Sequence, residues 1–420
     1  MSGSLLRFLA PMIGVLLFAT AWLVHRERLD IFLGIRTDSL GYYQFLPAAF
    51  LAGDLRGLPW VHVLEDGSRL SLFTIGVALL QLPFFLLGHV CAWIAGAARD
   101  GYSAPYAVAQ LLGTATYVAL GAHAILRLLL RSTDRVAALL AVLLLVFATN
   151  LFYYAVHEPG MSHAYAFAMT AFVLLITEEQ RTYWTTRGHI LLCTVGALLI
   201  LVRPLHAVFF LVPLLWRTRN TEEIMERARW WWRTPWATGV GMAIAALFLL
   251  PQLLYWKMIT GKWVLFTYGT KGEGFDWSAP HLWDVLLSHQ NGWLIYTPLM
   301  IFAWSALVVQ GRTQGSGART ALVLWGISWY VYSCWWAWWL GAAYGFRGFV
   351  DHLSLFALPL ALLLGRVIHA QTPIRVGSLV LAAFLTFLNV RMSALYAAPW
   401  DGPDWTWARL AAIWREALFL

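Results

Sequence analysis

Apolar runs of about one membrane thickness recur from one end of this chain to the other, and no polar block between them is long enough to fold by itself. A bilayer core of about 30 Å is crossed by about 20 apolar residues in helical form. Backbone in contact with lipid must satisfy its own hydrogen bonds, so each run is read as a helix. The first is Phe8 to Val24, and others lie at 105–126, 136–156, 161–177, 236–256, 292–310, 320–334, 352–365 and 376–390. Composition agrees: 60% of the 420 residues are hydrophobic and 12% are charged, about half the charged share of a soluble domain. These features predict a single all-α, polytopic transmembrane domain over residues 1–420 with about nine full spans. A water-soluble fold is excluded.

Two apolar stretches do not read as simple crossings. Residues 189–216 are interrupted by Arg203-Pro204 and are basic at both flanks, a pattern that predicts two half-crossing helices returning to one side. Residues 71–96 are interrupted by Gly76, Pro83 and Gly88. If they crossed, the basic clusters at 127–135 and 217–233 would fall on the same side as the loop after the first span. If they do not, the loops sort into two sets. Segments 127–135, 178–187, 217–233, 311–319 and 366–375 hold 14 Lys and Arg in 55 residues, against 13 in 140 for segments 25–70, 97–104, 157–160, 257–291, 335–351 and 391–420. The positive-inside bias acts through short loops near span ends, which assigns the dense set to the cytoplasm and the other to the exported side. Arg26 and Arg28 sit against that bias. Ala19-Thr20-Ala21 has the small residues of a signal-peptidase site, but the apolar run continues past it, and in either reading the next loop is exported.

Cys91, Cys193 and Cys334 lie in apolar runs without zinc-like spacing and are expected to be packing residues. The net charge of +8 is spread over short clusters between spans, which the bilayer explains and nucleic-acid binding does not.

Candidate chemistry falls in the sparse, exported set. The first loop, 25–70, contains IRTDSLGYYQFLPAAFLAGDLRGLPW. Asp38 there is either a general base for a hydroxyl or, with Thr37, a helix N-cap; Tyr42 and Tyr43 could hold a sugar ring or lipid headgroup. The turn YYAVHEPGMSHAYAF brings His157, Glu158 and His163 together. Their spacing is not a zinc-helix pattern, which leaves hydrogen bonding to a polar substrate or turn and cap duty ahead of a metal. Arg203 is a cation at membrane depth whose partner is either a phosphate or a structural counter-ion. In CWWAWWLGAAYGFRGFVDHLSLFALPL the tryptophans read as an interfacial belt or a sugar-stacking surface, and Arg347 as a phosphate clamp or the partner of Asp351. Residues 257–291 are polar and Gly-rich enough for a lid-like loop, and 391–420 reads as an exported interfacial tail.

Taken in order, these segments resemble polytopic bacterial glycosyltransferases of the GT-C superfamily, the protein mannosyltransferase and aminoarabinose transferase type, which use polyprenyl-phosphate sugars. The resemblance rests on Asp38, Tyr42, Tyr43 and Gly53-Asp54, then FTIGVALLQLPFFLLGH, EPGMSHAYAF, LVRP, SHQNGWLIYTPLM and WWLGAAYGFRGFVDHLSLFALP, spanning roughly residues 38 to 360. It implies a GT-C fold with re-entrant and exported juxtamembrane helices, in a bacterial inner membrane with the active site on the exported side. It implies Asp38 as catalytic base, with Tyr42, Tyr43, Asp54, Glu158, His163, Arg203 and Arg347 as substrate-binding candidates. The implied partners are a polyprenyl-phosphate-linked sugar, a glycan, lipid or protein acceptor, and membrane lipids. No cofactor is required, and a divalent metal is not indicated. Better-known members often carry a second acid near the aspartate; here its neighbour is Ser39, which leaves open a second role for Asp54. The alternatives are a transporter or flippase of a lipid-linked sugar and an O-antigen polymerase or ligase-like enzyme. No inverted repeat supports the first, and no late-loop arginines match the second.

Overall fold

The structure, a computed structural model, describes residues 3–181, 184–313 and 315–419. Thr182, Tyr183 and Gln314, in two of the basic loops, and the extreme termini lie outside the described residues. The chain order is α1 (Gly3–His25), α2 (Asp38–Tyr43) in the first loop, α3 (Gly76–Ile94), α4 (Ala104–Leu129), α5 (Arg135–Phe147), α6 (Leu151–Val156), α7 (Ser162–Gln180) and α8 (Thr186–Val202). A 3-10 segment, Pro204–Leu211, then leads to α9 (Thr221–Arg233), α10 (Pro235–Thr260), α11 (Leu299–Gly311) and α12 (Gly317–Ser333). A second 3-10 segment, Arg347–His352, runs into α13 (Leu353–Ile368), followed by α14 (Thr372–Leu395) and α15 (Trp407–Phe419). The first loop also carries a small antiparallel ribbon, His62–Val63 against Arg69–Leu70.

Among the described residues six helical stretches are long and apolar enough to cross a membrane: Phe8–Phe32, Gly76–Ile94, Ala104–Leu129, Pro235–Thr260, Arg347–Ile368 and Thr372–Leu395. Shorter apolar helices, Arg135–Phe147, Thr186–Val202, Pro204–Leu215 and Leu299–Gly311, complete a polytopic helical protein. The apolar run at 136–156 is divided at residues 148–150 into α5 and α6. Helix ends leave carbonyls without partners, and here Asn389 Nδ2 donates to Phe147 O (2.9 Å) and Thr149 O (2.8 Å), so the break is satisfied from α14. Side-chain caps start several other helices. Asp134 caps α5 by accepting from Val136 N and Ala137 N, Asn220 caps α9 and Ser316 caps α12.

The two sets of loops separate onto opposite faces. On one, Glu179 takes Arg127 (2.8 Å) and Arg131 (3.0 Å), while Glu178 takes Arg181 (3.1 Å), Arg217 (3.4 Å) and the indole N–H of Trp216 (2.6 Å). Arg217 also donates to Ser132 (2.8 Å), and Gly315 and Gly317 pack on Arg219 and Trp216. The basic loops are thus gathered at one end. At the other, Tyr43 donates to Gly101 O, Thr267 to Leu72 O (2.8 Å) and Ser39 to Pro159 O (3.1 Å), and Ala342 N donates to Asp401 (2.6 Å). The loops sparse in Lys and Arg meet there, around Asp38.

Both interrupted stretches are resolved by this arrangement. Pro204 ends α8, because proline lacks the N–H that the helix would use and disfavours helical backbone before it; Arg203 is accordingly extended at φ −155°. The chain enters α8 at the basic face, where Gly188 lies against Gln180, turns at Arg203, and returns to Trp216 at the same face. The expected returning pair is present, with Arg203 at its tip. Helix α3 is long enough to cross, yet it runs antiparallel along the half of α4 nearest Asp38: Tyr117 donates to Leu80 O (2.9 Å), Gly113 meets Phe84 and Gly88 meets Tyr106. Its start abuts the backbone of Leu201 and Val202, and its end leads to Gly101 beside Tyr43. Helix α3 thus starts beside the tip of the returning pair and ends beside the first loop.

The main core runs through the bundle and includes Tyr165, Phe167, Trp293, Trp325 and Phe356. A second cluster, Tyr43, Phe45, Leu46, Leu58, Phe85, Tyr106 and Tyr255, fastens the first loop to α3, α4 and α10. Burying such a side chain away from water contributes about 1.5–3 kcal/mol, so the loop bearing Asp38 has its own apolar foundation.

Candidate active site

Asp38 opens α2. Thr37 occupies the cap position with extended backbone but makes no side-chain cap bond, and Asp38 does not cap either: its Oδ2 lies 2.9 Å from Arg347 Nη1. The carboxylate is 32% exposed and the guanidinium 18%. Arg347 begins the 3-10 segment before α13, and Gly345, at φ +63°, turns the chain into it. Arg347 therefore pairs with Asp38 and not with Asp351.

Asp351 is completely buried, and its three partners come from two other segments of the chain. His163 Nδ1, in the first turn of α7, donates to Oδ1 (2.8 Å); Arg203 Nη1 donates to Oδ2 (3.0 Å); His206 Nε2 stands 3.2 Å from Oδ2. Arg203 also lies over the ring of Tyr332, 5.9 Å from its centroid. A buried carboxylate needs such partners, since an unpaired charge in the interior is expensive.

Two tyrosines tie the pairs into one site. Tyr42 donates to Ser162 (3.2 Å), and burial pushes its hydroxyl pKa up, against the pull of Arg203 and Arg347 and with the help of Asp38. Tyr268, from the lid-like loop, is raised by burial, then by Tyr42 and Asp38, and lowered by Arg347 and Arg203. Asp38, Arg203 and Arg347 thus act on the same two hydroxyls. The loop carrying Tyr268 is held by Thr267 on Leu72, by a ring contact between Tyr268 and Trp335, and by a backbone bridge between Phe275 and Trp335.

Glu158 joins this group from the turn between α6 and α7. Burial pushes its carboxyl up to about 7, opposed by Arg347 and reinforced by Asp38. Gly160 at φ +94° lets the turn approach closely; a Cβ there would strike Ser39 Oγ and the Gln110 amide. The acid sharing Asp38's surroundings is therefore Glu158, three-dimensionally adjacent though 120 residues away, while the neighbouring Ser39 ties the two loops together. Asp54 accepts from Arg56 N (2.8 Å) and lines a cleft with Gln44 and Asp100 that does not include Asp38. Tyr43 is buried under the loop. His157 stacks on Tyr153 (5.4 Å, 15°) while His163 turns to Asp351, so His157, Glu158 and His163 do not converge. No group of three or more potential metal ligands occurs among the described residues.

No family model matches the sequence, and no curated protein matches it. Among solved structures, ArnT from Cupriavidus metallidurans in the apo state is similar, with a TM-score of 0.52 at 12% identity, covering 90% of this chain and 68% of that one. The chain shares the fold of that structure. At that identity the likeness is one of architecture, and the GT-C frame accounts for a polytopic bundle with its long loops gathered over one end.

Sequence reading named Asp38, Arg203, Arg347, Glu158 and His163 but missed Asp351 as the carboxylate that joins Arg203 to His163, along with His206 and Tyr268. The available signals were weak: His206 follows Arg203 by one helical turn, and Asp351 follows Arg347 by four residues. Nothing in spacing joins the two segments.

Proposed function

We propose that this protein is a membrane glycosyltransferase that moves a sugar from a polyprenyl-phosphate donor to an acceptor hydroxyl, with inversion, on the exported face of a bacterial inner membrane. The observation that carries the reading is the part-exposed Asp38–Arg347 pair beside Arg203, at the face where loops poor in Lys and Arg converge. A carboxylate that can take a proton and two cations that can take a phosphate are the groups such a displacement needs. Asp38 accepts the acceptor hydroxyl's proton, the oxygen forms a bond to the anomeric carbon, and the bond from that carbon to the lipid phosphate breaks. Arg347 and Arg203 hold the departing phosphate's charge. Because Arg347 is the partner of Asp38, a donor phosphate competes for the same guanidinium, and its binding loosens Asp38 for proton transfer. The donor is thereby expected to bind first. Tyr268, part-exposed, presents its hydroxyl and ring to the sugar with Tyr42 buried behind the site, and the acceptor is a glycan, lipid or protein. The scheme calls for no cofactor.

The test is an assay of the purified protein in detergent and in vesicles against a panel of polyprenyl-phosphate sugars, reading release of lipid phosphate. Release dependent on an added acceptor supports the reading. Movement of a lipid-linked sugar across vesicles without any release would replace it with a transporter.

A further inference from the structure

We propose that Asp351 is the positioning residue of the phosphate site: it touches no substrate, but it aims Arg203 and fixes the turn that carries Arg347. The proposal rests on the phosphate-binding role given above to those two arginines.

Four observations carry it. First, Asp351 has no exposure, whereas the Arg203 side chain is 21% exposed, so the pair points from the interior outward. Second, among the described residues the carboxylate accepts from Nη1 of Arg203, with Tyr332 under the guanidinium. A planar fork bonded at one nitrogen beside an aromatic ring is restrained in how it can turn, which favours bidentate phosphate recognition. Third, the Asp351 main chain is itself fixed: its carbonyl accepts from Thr170 (3.0 Å), which accepts from Ser354 (2.9 Å). Fourth, Arg347 and Asp351 belong to one six-residue 3-10 segment, so the anchor under one arginine and the stem of the other move as one piece. His206 packs between the two segments, one ring nitrogen 3.1 Å from Arg203 O and the other 3.2 Å from the Asp351 carboxylate.

A carboxylate with a purely architectural role would support any ligand in this site equally. A positioning carboxylate matters to the phosphate alone. The probes are farnesyl phosphate and farnesol, which share a tail and differ in the anion, with affinities measured on purified protein whose folding is checked by thermal unfolding. The wild type is expected to prefer the phosphate. In Asp351→Asn the Kd for farnesyl phosphate should rise about tenfold or more, the scale of one charge-assisted interaction, with farnesol unchanged. Arg203→Ala should lose a similar amount, and the double variant no more than Arg203→Ala alone, because both changes remove one interaction. If Asp351→Asn does not fold, His206→Asn, which removes the ring packed between Arg203 O and the same carboxylate, should shift phosphate affinity in the same direction. Wild-type phosphate affinity in a folded Asp351→Asn or His206→Asn, additive losses in the double variant, or an equal loss for farnesol overturns the proposal. A wild type with no preference for the phosphate instead overturns the phosphate-binding reading beneath it.

Discussion

Asp38 and Arg347 hold each other at 2.9 Å while both remain partly open to solvent, so their pair contributes at most about 1 kcal/mol to stability. Replacing Asp38 by Asn retains size and hydrogen bonding but removes the proton acceptor. Turnover is expected to fall about 100-fold or more, with thermal unfolding nearly unchanged; normal turnover in folded Asp38→Asn would move the base elsewhere. Glu158 is distinguished by pH. Its carboxyl is raised from 4.5 to about 7, mainly by burial, so the folded state retains a proton that the unfolded chain gives up. Stability from this group is complete below pH 4.5 and is lost as pH rises to about 7. Thermal unfolding of the wild type should therefore weaken across that window, and Glu158→Gln should flatten the profile.

Helix α3 and the tip of the returning pair meet without space for a side chain. A Cβ on Gly76 would lie 2.2 Å from the Leu201 carbonyl carbon and 2.3 Å from Val202 N, and backbone atoms cannot rotate away. Gly76→Val should push α3 off the end of α8, lowering the thermal midpoint and displacing Arg203. Gly239 on α10 provides the contrast, with nothing within 4 Å of its added Cβ. Gly239→Ala should be neutral or stabilising by up to about 1 kcal/mol, the cost of glycine inside a helix. Equal effects in the two variants would show that the α3–α8 approach is not tight in the membrane.

The gathering of Arg-rich loops around Glu178 and Glu179 at one end, and of the sparse loops around Asp38 at the other, makes sidedness a property of the whole bundle. By the positive-inside bias the Arg-rich end is expected in the cytoplasm. In a background lacking the exposed Cys91, Asp276→Cys should react with an impermeant thiol reagent in intact cells and Arg229→Cys only after lysis. Labelling of Arg229→Cys alone would invert the assignment. The bundle also explains the exposed apolar surface of α10, where Met242, Leu247, Leu250 and Leu254 face outward, since lipid is their solvent.

Hydropathy alone determined that this chain is a helical membrane protein, where most of its apolar helices run, and that Arg203-Pro204 breaks one of them. Those properties are local: chain length per crossing, unsatisfied backbone in lipid and the missing proline N–H act on neighbouring residues. Charge density separated the two sets of loops for a similar reason, because each short loop is read by the bilayer independently. Who pairs with whom was decided only by the tertiary structure. Asp38 and Arg347 are 309 residues apart and Asp351 and His163 are 188 apart, and any of the site's arginines could by charge alone have paired with any of its acids. Packing made the choice: Gly160 brings Glu158 to Asp38, Gly76 seats α3 against the tip holding Arg203, and one 3-10 turn presents Arg347 to the open carboxylate and Asp351 to the buried cations.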